Sequence, residues 1–169
     1  MRKMLDPAAR MIAVCAIGAI ALTIGHTGCS SFDGPVQLAT VERDAEAKSF
    51  LAVPGKARIY IYREQGYIGN EEITVDVGSW AGGRTTGKTF LLATVDPGAY
   101  VLAARGDERE ELPIQVEGGE IYFIKLRVRP APVTANASLQ LVDTETGKTG
   151  VRRCRLVKLD DAPELDDTP

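Results

Sequence analysis

The sequence predicts an all-β fold, an antiparallel β-sandwich of about seven to nine short strands. Three observations predict it. After Pro54, apolar and polar residues alternate through most of the chain, the period of strands with one buried face. Turn signals break the alternation at short intervals: Asp96-Pro97-Gly98, Arg105-Gly106-Asp107, Glu117-Gly118-Gly119 and Thr146-Gly147-Lys148. No helical period lies between them, so βαβ crossovers are not expected.

The elements follow in order. Asp44-Ala45-Glu46-Ala47-Lys48 suits one or two helical turns within residues 43–50. Residues 57–63 are apolar on both faces through Ile59, Tyr60, Ile61 and Tyr62, and belong at the centre of a sheet. Ile73, Val75 and Val77 alternate with Thr74 and Asp76. Residues 90–95 and 99–105 form two more runs, and Leu112, Ile114 and Val116 alternate with Pro113 and Gln115. Tyr122, Ile124, Leu126 and Val128 alternate with Phe123, Lys125, Arg127 and Arg129, a strand with a wet face. Residues 138–142 and 151–159 complete the set. Immunoglobulin-like and transthyretin-like sandwiches are the arrangements that suit such a series.

Four segments result: a signal peptide at 1–28, a tether with a short helix at 29–53, the sandwich at 54–159, and a tail at 160–169. The tail holds Asp160, Asp161, Glu164, Asp166 and Asp167 and no base, the composition of a solvated, disordered end.

Arg2, Lys3 and Arg10 precede an uncharged apolar run of 14 residues from Met11 to Ile24. As a helix that run reaches only ~21 Å, against a hydrocarbon core of roughly 30 Å, too short to span comfortably. It ends at Gly25-His26-Thr27-Gly28-Cys29-Ser30-Ser31, which resembles a bacterial lipoprotein cleavage site. The resemblance implies that Cys29 becomes the first mature residue and carries acyl chains on its thiol and amino group. Several chains anchor stably where one does not. Ser30, in place of Asp, implies the outer membrane by the usual sorting rule, and His26 departs from the pattern, which prefers a residue such as Leu there.

The chain has 169 residues, 44% hydrophobic and 25% charged, with a formal net charge of -3. One packed domain fits, whereas a wholly disordered chain or a nucleic-acid binder does not. Removal of 1–28 takes away Arg2, Lys3, Arg10 and Asp6 and moves the net charge to -5; the acidic tail accounts for the whole imbalance. No basic stripe for DNA or anionic lipid is legible along the chain. With Cys15 removed and Cys29 acylated, Cys154 alone remains as a thiol, and it reads as a small buried apolar residue.

Gly82-Gly83-Arg84-Thr85-Thr86-Gly87-Lys88-Thr89 matches the phosphate-loop pattern G-x-x-x-x-G-K-[ST]. That chemistry needs the free amides of a helix N-terminus. Here the following run meets Asp96-Pro97-Gly98 too soon for a crossover helix, so the segment reads as a loop entering a strand, and no nucleotide is expected.

The one histidine, His26, lies in the removed segment. Serine–histidine and cysteine–histidine nucleophile activation and histidine-ligated metals are therefore excluded, and no cofactor is expected. Carboxylate chemistry survives in principle through Glu71-Glu72, Asp107-Glu108 and Glu110-Glu111. Trp80, the only tryptophan, lies in a glycine-rich loop and reads as a plug over one end of the sandwich or as a platform for a ligand. Tyr67, in Gln65-Gly66-Tyr67-Ile68-Gly69, has the same two readings.

Ala45 through Phe50 leading into Pro54 through Arg63, Lys88-Thr89-Phe90 through Val95-Asp96-Pro97-Gly98, Glu120-Ile121-Tyr122-Phe123, and Leu139 through Asp143 with Gly147, Gly150-Val151 and Cys154 resemble a family of bacterial lipoproteins, domain of unknown function 2846. The likeness covers roughly residues 44 to 158 and lies in the order and spacing of these pieces. It implies a signal-bearing envelope protein with a β domain, and no reaction. Ala99-Tyr100, where a Lys-His-like pair is expected, and the acidic tail depart from it.

The reading is a non-catalytic binding or structural module, lipid-anchored in the bacterial envelope at the outer membrane and facing the periplasm, with a protein or glycan partner at Trp80 and Tyr67. The alternative is a small carboxylate-dependent glycan hydrolase or glycan-binding module.

Overall fold

A computed structural model describes residues 35–66, 71–80, 82–106, 108–130 and 135–159. Helix α1 (Val41–Ala47) comes first, capped by Thr40, whose hydroxyl accepts the Arg43 N–H at 3.3 Å. It starts two residues before the expected segment because of that cap, and it stops before Phe50, whose φ of +52° no helix accommodates. The strands are β1 (Ala57–Arg63), β2 (Ile73–Val77), β3 (Arg84–Thr85), β4 (Thr89–Val95), β5 (Gly98–Arg105), β6 (Arg109–Val116), β7 (Ile121–Pro130), β8 (Ala135–Val142) and β9 (Arg155–Leu156), with helix α2 (Thr144–Arg152) before the last.

Among the described residues, nine strands in two facing sheets make the all-β sandwich that the alternation predicts. One sheet runs β8-β7-β1-β4-β9, the other β3-β2-β5-β6. The central place expected for residues 57–63 is where β1 lies. Ile59, Ile61, Val75, Leu91, Leu102, Ile124 and Leu126 fill the space between the sheets. The opposite face of the five-stranded sheet is buried too: Tyr60, Tyr62, Phe90 and Phe123 pack beneath α1 and α2 with Ala47, Val151 and Cys154. Tyr60 and Phe123 stack with centroids 5.2 Å apart, and the Tyr60 hydroxyl donates to the Ala47 carbonyl at 2.7 Å.

Two expectations need correction. The pairing is not wholly antiparallel: β1 runs parallel to β7, from Arg58↔Ile121 to Tyr62↔Lys125, and β4 runs parallel to β9. A parallel pair cannot be joined by a hairpin: β2 to β6 lie between β1 and β7, and β5 to β8 with α2 lie between β4 and β9. Alternation reports which face is buried and carries no information on strand direction.

The second correction is α2. Thr146-Gly147-Lys148 is helix, not turn, and the expected strand at 151–159 shrinks to β9. Asp143 caps α2 by accepting the Thr146 N–H at 3.0 Å. Its two buried glycines serve close approach rather than unusual backbone angles, since a Cβ on Gly147 would fall 2.2 Å from Phe123 Cγ.

Candidate functional site

Trp80 sits at the tip of the hairpin that leaves β2. Val77 and Trp80 exchange N–H to carbonyl bonds of 3.1 Å each way across Gly78-Ser79, and Gly78 has the positive φ of +60° that so tight a turn demands. The half-buried indole packs against the inner core, the plug of the two sequence readings. Gly78 lies over Tyr100: a Cβ there would be 3.1 Å from Tyr100 Cδ1. The Gly78 N–H donates to the Val101 carbonyl at 3.0 Å, which ties the hairpin to β5.

Beside this hairpin, Ala99, Tyr100, Val101, Pro113, Ile114 and Gln115 line an open depression of about 350 Å³. Val101 pairs with Pro113 across β5 and β6, and Val101 is 43% exposed. Pro113 has no N–H to give the ladder, which an edge strand such as β6 tolerates. The lining offers apolar surface, one phenol and one amide. It suits contact and stacking, and its phenol donates to the Asp96 carbonyl at 2.9 Å. Ala99 and Tyr100 both fall in this lining.

Tyr67 and Cys29 lie outside the described residues. On either side of Tyr67, the described residues run three positions past β1 to Gly66 and resume at Glu71, whose carbonyl accepts a bond from Arg63 Nη1 at 2.7 Å. Those flanks stand at the end of the sandwich opposite Trp80. Downstream of Cys29, the backbone of residues 37–39 bonds the last strand: the Lys158 N–H donates to the Gln37 carbonyl and the Ala39 N–H to the Leu156 carbonyl, both at 2.9 Å. Among the described residues no helix is long and apolar enough to cross a membrane.

The phosphate-loop match contains β3 and a tight turn into β4. Lys88 has a φ of +59°, and the Thr89 hydroxyl accepts the Thr86 N–H at 3.1 Å and donates to the Thr86 carbonyl at 2.9 Å. A strand begins where the motif requires a helix, so no row of free helix N-terminal amides forms.

Of the acidic pairs, Glu72 is held by Arg84, and Glu111 by Arg109 at 2.7 Å; Asp107 lies outside the described residues. The displaced titrations lie elsewhere. Burial pushes the Cys154 thiol up to about 12, and its Sγ donates to the Arg63 carbonyl at 3.5 Å, in keeping with a buried apolar role. Burial also pushes the Tyr62 hydroxyl up to about 12. Hydrogen bonding from Lys125 lowers Glu64. Among the described residues no group of three His, Cys, Asp or Glu side chains is placed to hold a metal.

One surface is only half visible in the linear sequence. Lys125, Arg127 and Arg129 occupy alternate positions of β7 on the face away from the inner core, opposite Gln140 and Ser138 of β8. On the same face of that sheet, α2 ends with Arg152, whose guanidinium lies 5.4 Å from the Phe50 ring centroid, and with its cap Arg153. Glu64 joins the two elements, accepting from Lys125 Nζ and, at 3.2 Å, from Arg153 Nη1. Among the described residues it is the one carboxylate in ion-pair contact with these five cations. A basic stripe therefore exists, contrary to the reading along the chain. The alternation on β7 was its visible half; the helix that brings Arg152 and Arg153 alongside was the part that glycine spacing concealed.

The comparisons with known proteins are sparse. No family model matches the chain, and no solved structure matches it. The chain is similar to a Haemophilus influenzae protein described as uncharacterized, 25% identical over 126 residues that cover 72% of this chain and 73% of that one.

Proposed function

We propose that the protein is a lipoprotein of the bacterial envelope, anchored at the outer membrane through acylated Cys29, whose β-sandwich binds a protein or glycan partner without catalysis. The observation that carries the reading is the short apolar run ending at Gly28-Cys29, followed after eight residues by Gln37, which the last strand holds by a backbone hydrogen bond. A domain joined in this way stays close to whatever holds Cys29. The binding surface is the depression formed by Ala99, Val101, Pro113 and Gln115 beside Trp80. Its mostly apolar lining, with a single phenol and a single amide, supports recognition.

A photo-crosslinking residue at Val101 tests the binding surface in intact cells. The same envelope component should be captured from Val101 and not from Glu46, which is exposed on α1. Capture of unrelated neighbours from both positions would overturn the assignment of this surface.

A further inference from the structure

We propose that the cationic face formed by Lys125, Arg127 and Arg129 of β7 with Arg152 and Arg153 of α2 docks on the anionic headgroups of the membrane that holds Cys29, and so turns the Trp80 end away from the bilayer. The inference rests on the lipid-anchored reading above and adds an orientation to it.

Charge and exposure carry the argument. Arg127, Arg129, Arg152 and Arg153 are exposed. Among the described residues Arg127 and Arg129 have no carboxylate within ion-pair distance, so their approach to a phosphate breaks no existing pair. Alternate positions on a strand lie about 7 Å apart, which sets the three β7 cations in a row on a flat surface. Glu117 and Glu120 precede β7 and Asp143 and Glu145 follow β8, at the Trp80 end; Glu71 and Glu72 precede β2 and Glu110 and Glu111 open β6 at the other end, where Arg84 pairs with Glu72 and Arg109 with Glu111. Arg127 and Arg129, which no carboxylate pairs among the described residues, draw that other end to an anionic surface, and the carboxylates of the Trp80 end oppose its approach.

Magnitudes say why the tether matters. A basic residue near an anionic membrane gains about 1 kcal/mol, so this face alone holds only weakly a mature chain whose net charge is -5. Attachment changes the problem, because a tethered surface meets its partner at an effective concentration that a free one never reaches. The geometry allows it. Eight residues from Cys29 to Gln37 reach at most about 28 Å. Three strand spacings from β9 to β7 are only about 14 Å. The apolar depression beside Trp80 is then presented outward, where a partner can reach it.

The test uses the full acylated chain, its N-terminal modification verified by mass, in vesicles of phosphatidylcholine with or without phosphatidylglycerol. Fluorophores are placed at Ser138→Cys, on the cationic face, and at Ser79→Cys, at the Trp80 hairpin; Gln140→Cys replaces the first should it fold poorly. Native Cys154 is buried and stays unlabelled. With headgroup-quencher lipids, quenching should be several-fold greater at 138 than at 79 on phosphatidylglycerol vesicles in low salt. It should become equal in high salt, on phosphatidylcholine alone, and in Arg127→Gln/Arg129→Gln.

Equal quenching at both positions in low salt, or a contrast that persists on neutral vesicles, overturns the proposal. The first result would leave an acidic protein as the occupant of this face. Flotation on neutral vesicles reads the anchor separately. A chain that floats without contrast sinks the orientation alone, and a chain that does not float sinks the anchored reading and the orientation with it.

Discussion

Gly150 lies against the ring of Tyr62 so closely that a Cβ would fall 2.1 Å from Tyr62 Cε2. The contact seats α2 on the five-stranded sheet and fixes how near Arg152 and Arg153 come to β7. Helix propensity alone favours Gly150→Ala by about 1 kcal/mol. Overpacking should win, destabilising the protein by roughly 1–3 kcal/mol, because the methyl meets a fully buried ring on a central strand. Urea denaturation with an unchanged slope and a lower midpoint is the expected result.

The two buried tyrosines of β1 should respond oppositely to loss of their hydroxyls. Tyr60→Phe removes the bond to the Ala47 carbonyl that holds α1, and should cost about 0.5–1.5 kcal/mol. The Tyr62 hydroxyl is buried and, among the described residues, has no hydrogen-bond partner. Tyr62→Phe should therefore be neutral or stabilising by up to about 1 kcal/mol, since it removes an unsatisfied polar group. Thermal melts of the two variants distinguish the outcomes.

Glu64 predicts an acid-limb effect. Its folded pKa is lowered, mainly by the hydrogen bond from Lys125, so the carboxylate stabilises the fold above its ordinary value of 4.5 and loses that contribution as pH falls through the lowered value. Glu64→Gln should narrow the difference in melting temperature between neutral and strongly acidic solution. A difference equal to that of the parent would show that the Lys125–Glu64–Arg153 link contributes nothing.

Cys154 should be inert in the folded protein. Its pKa is raised to about 12, so almost no thiolate exists at pH 8, and its sulfur is buried. The acylated mature chain should show no reaction with a thiol reagent until denaturant is added, and then one thiol. The same raised pKa makes the neutral thiol's contribution to stability complete below about 9 and lost as pH rises through the folded value.

Most of the sandwich is legible in the sequence because burial on one face writes a period of two into each strand. Ile73 to Val77 and Ile121 to Val128 are the clearest cases. Strand direction is not written there: Arg58↔Ile121 would show the same alternation in either direction, and the pair is parallel because five strands of alternating direction, β2 to β6, lie between its members. Helix α2 stayed hidden because Gly147 and Gly150 serve as spacers against Phe123 and Tyr62 while resembling turn residues. Trp80 was legible as an aromatic set in a glycine loop. The neighbouring depression was not, since Val101 and Pro113 meet only through pairing across β5 and β6. The cationic face needed α2 to complete it.

The most direct measurement is the intact mass of the protein extracted from fractionated membranes. The account predicts a chain that begins at Cys29, carries added acyl mass on that residue, and partitions with the outer membrane until detergent releases it. A chain that begins elsewhere, bears no acyl group and leaves the membrane in salt or plain buffer would contradict it.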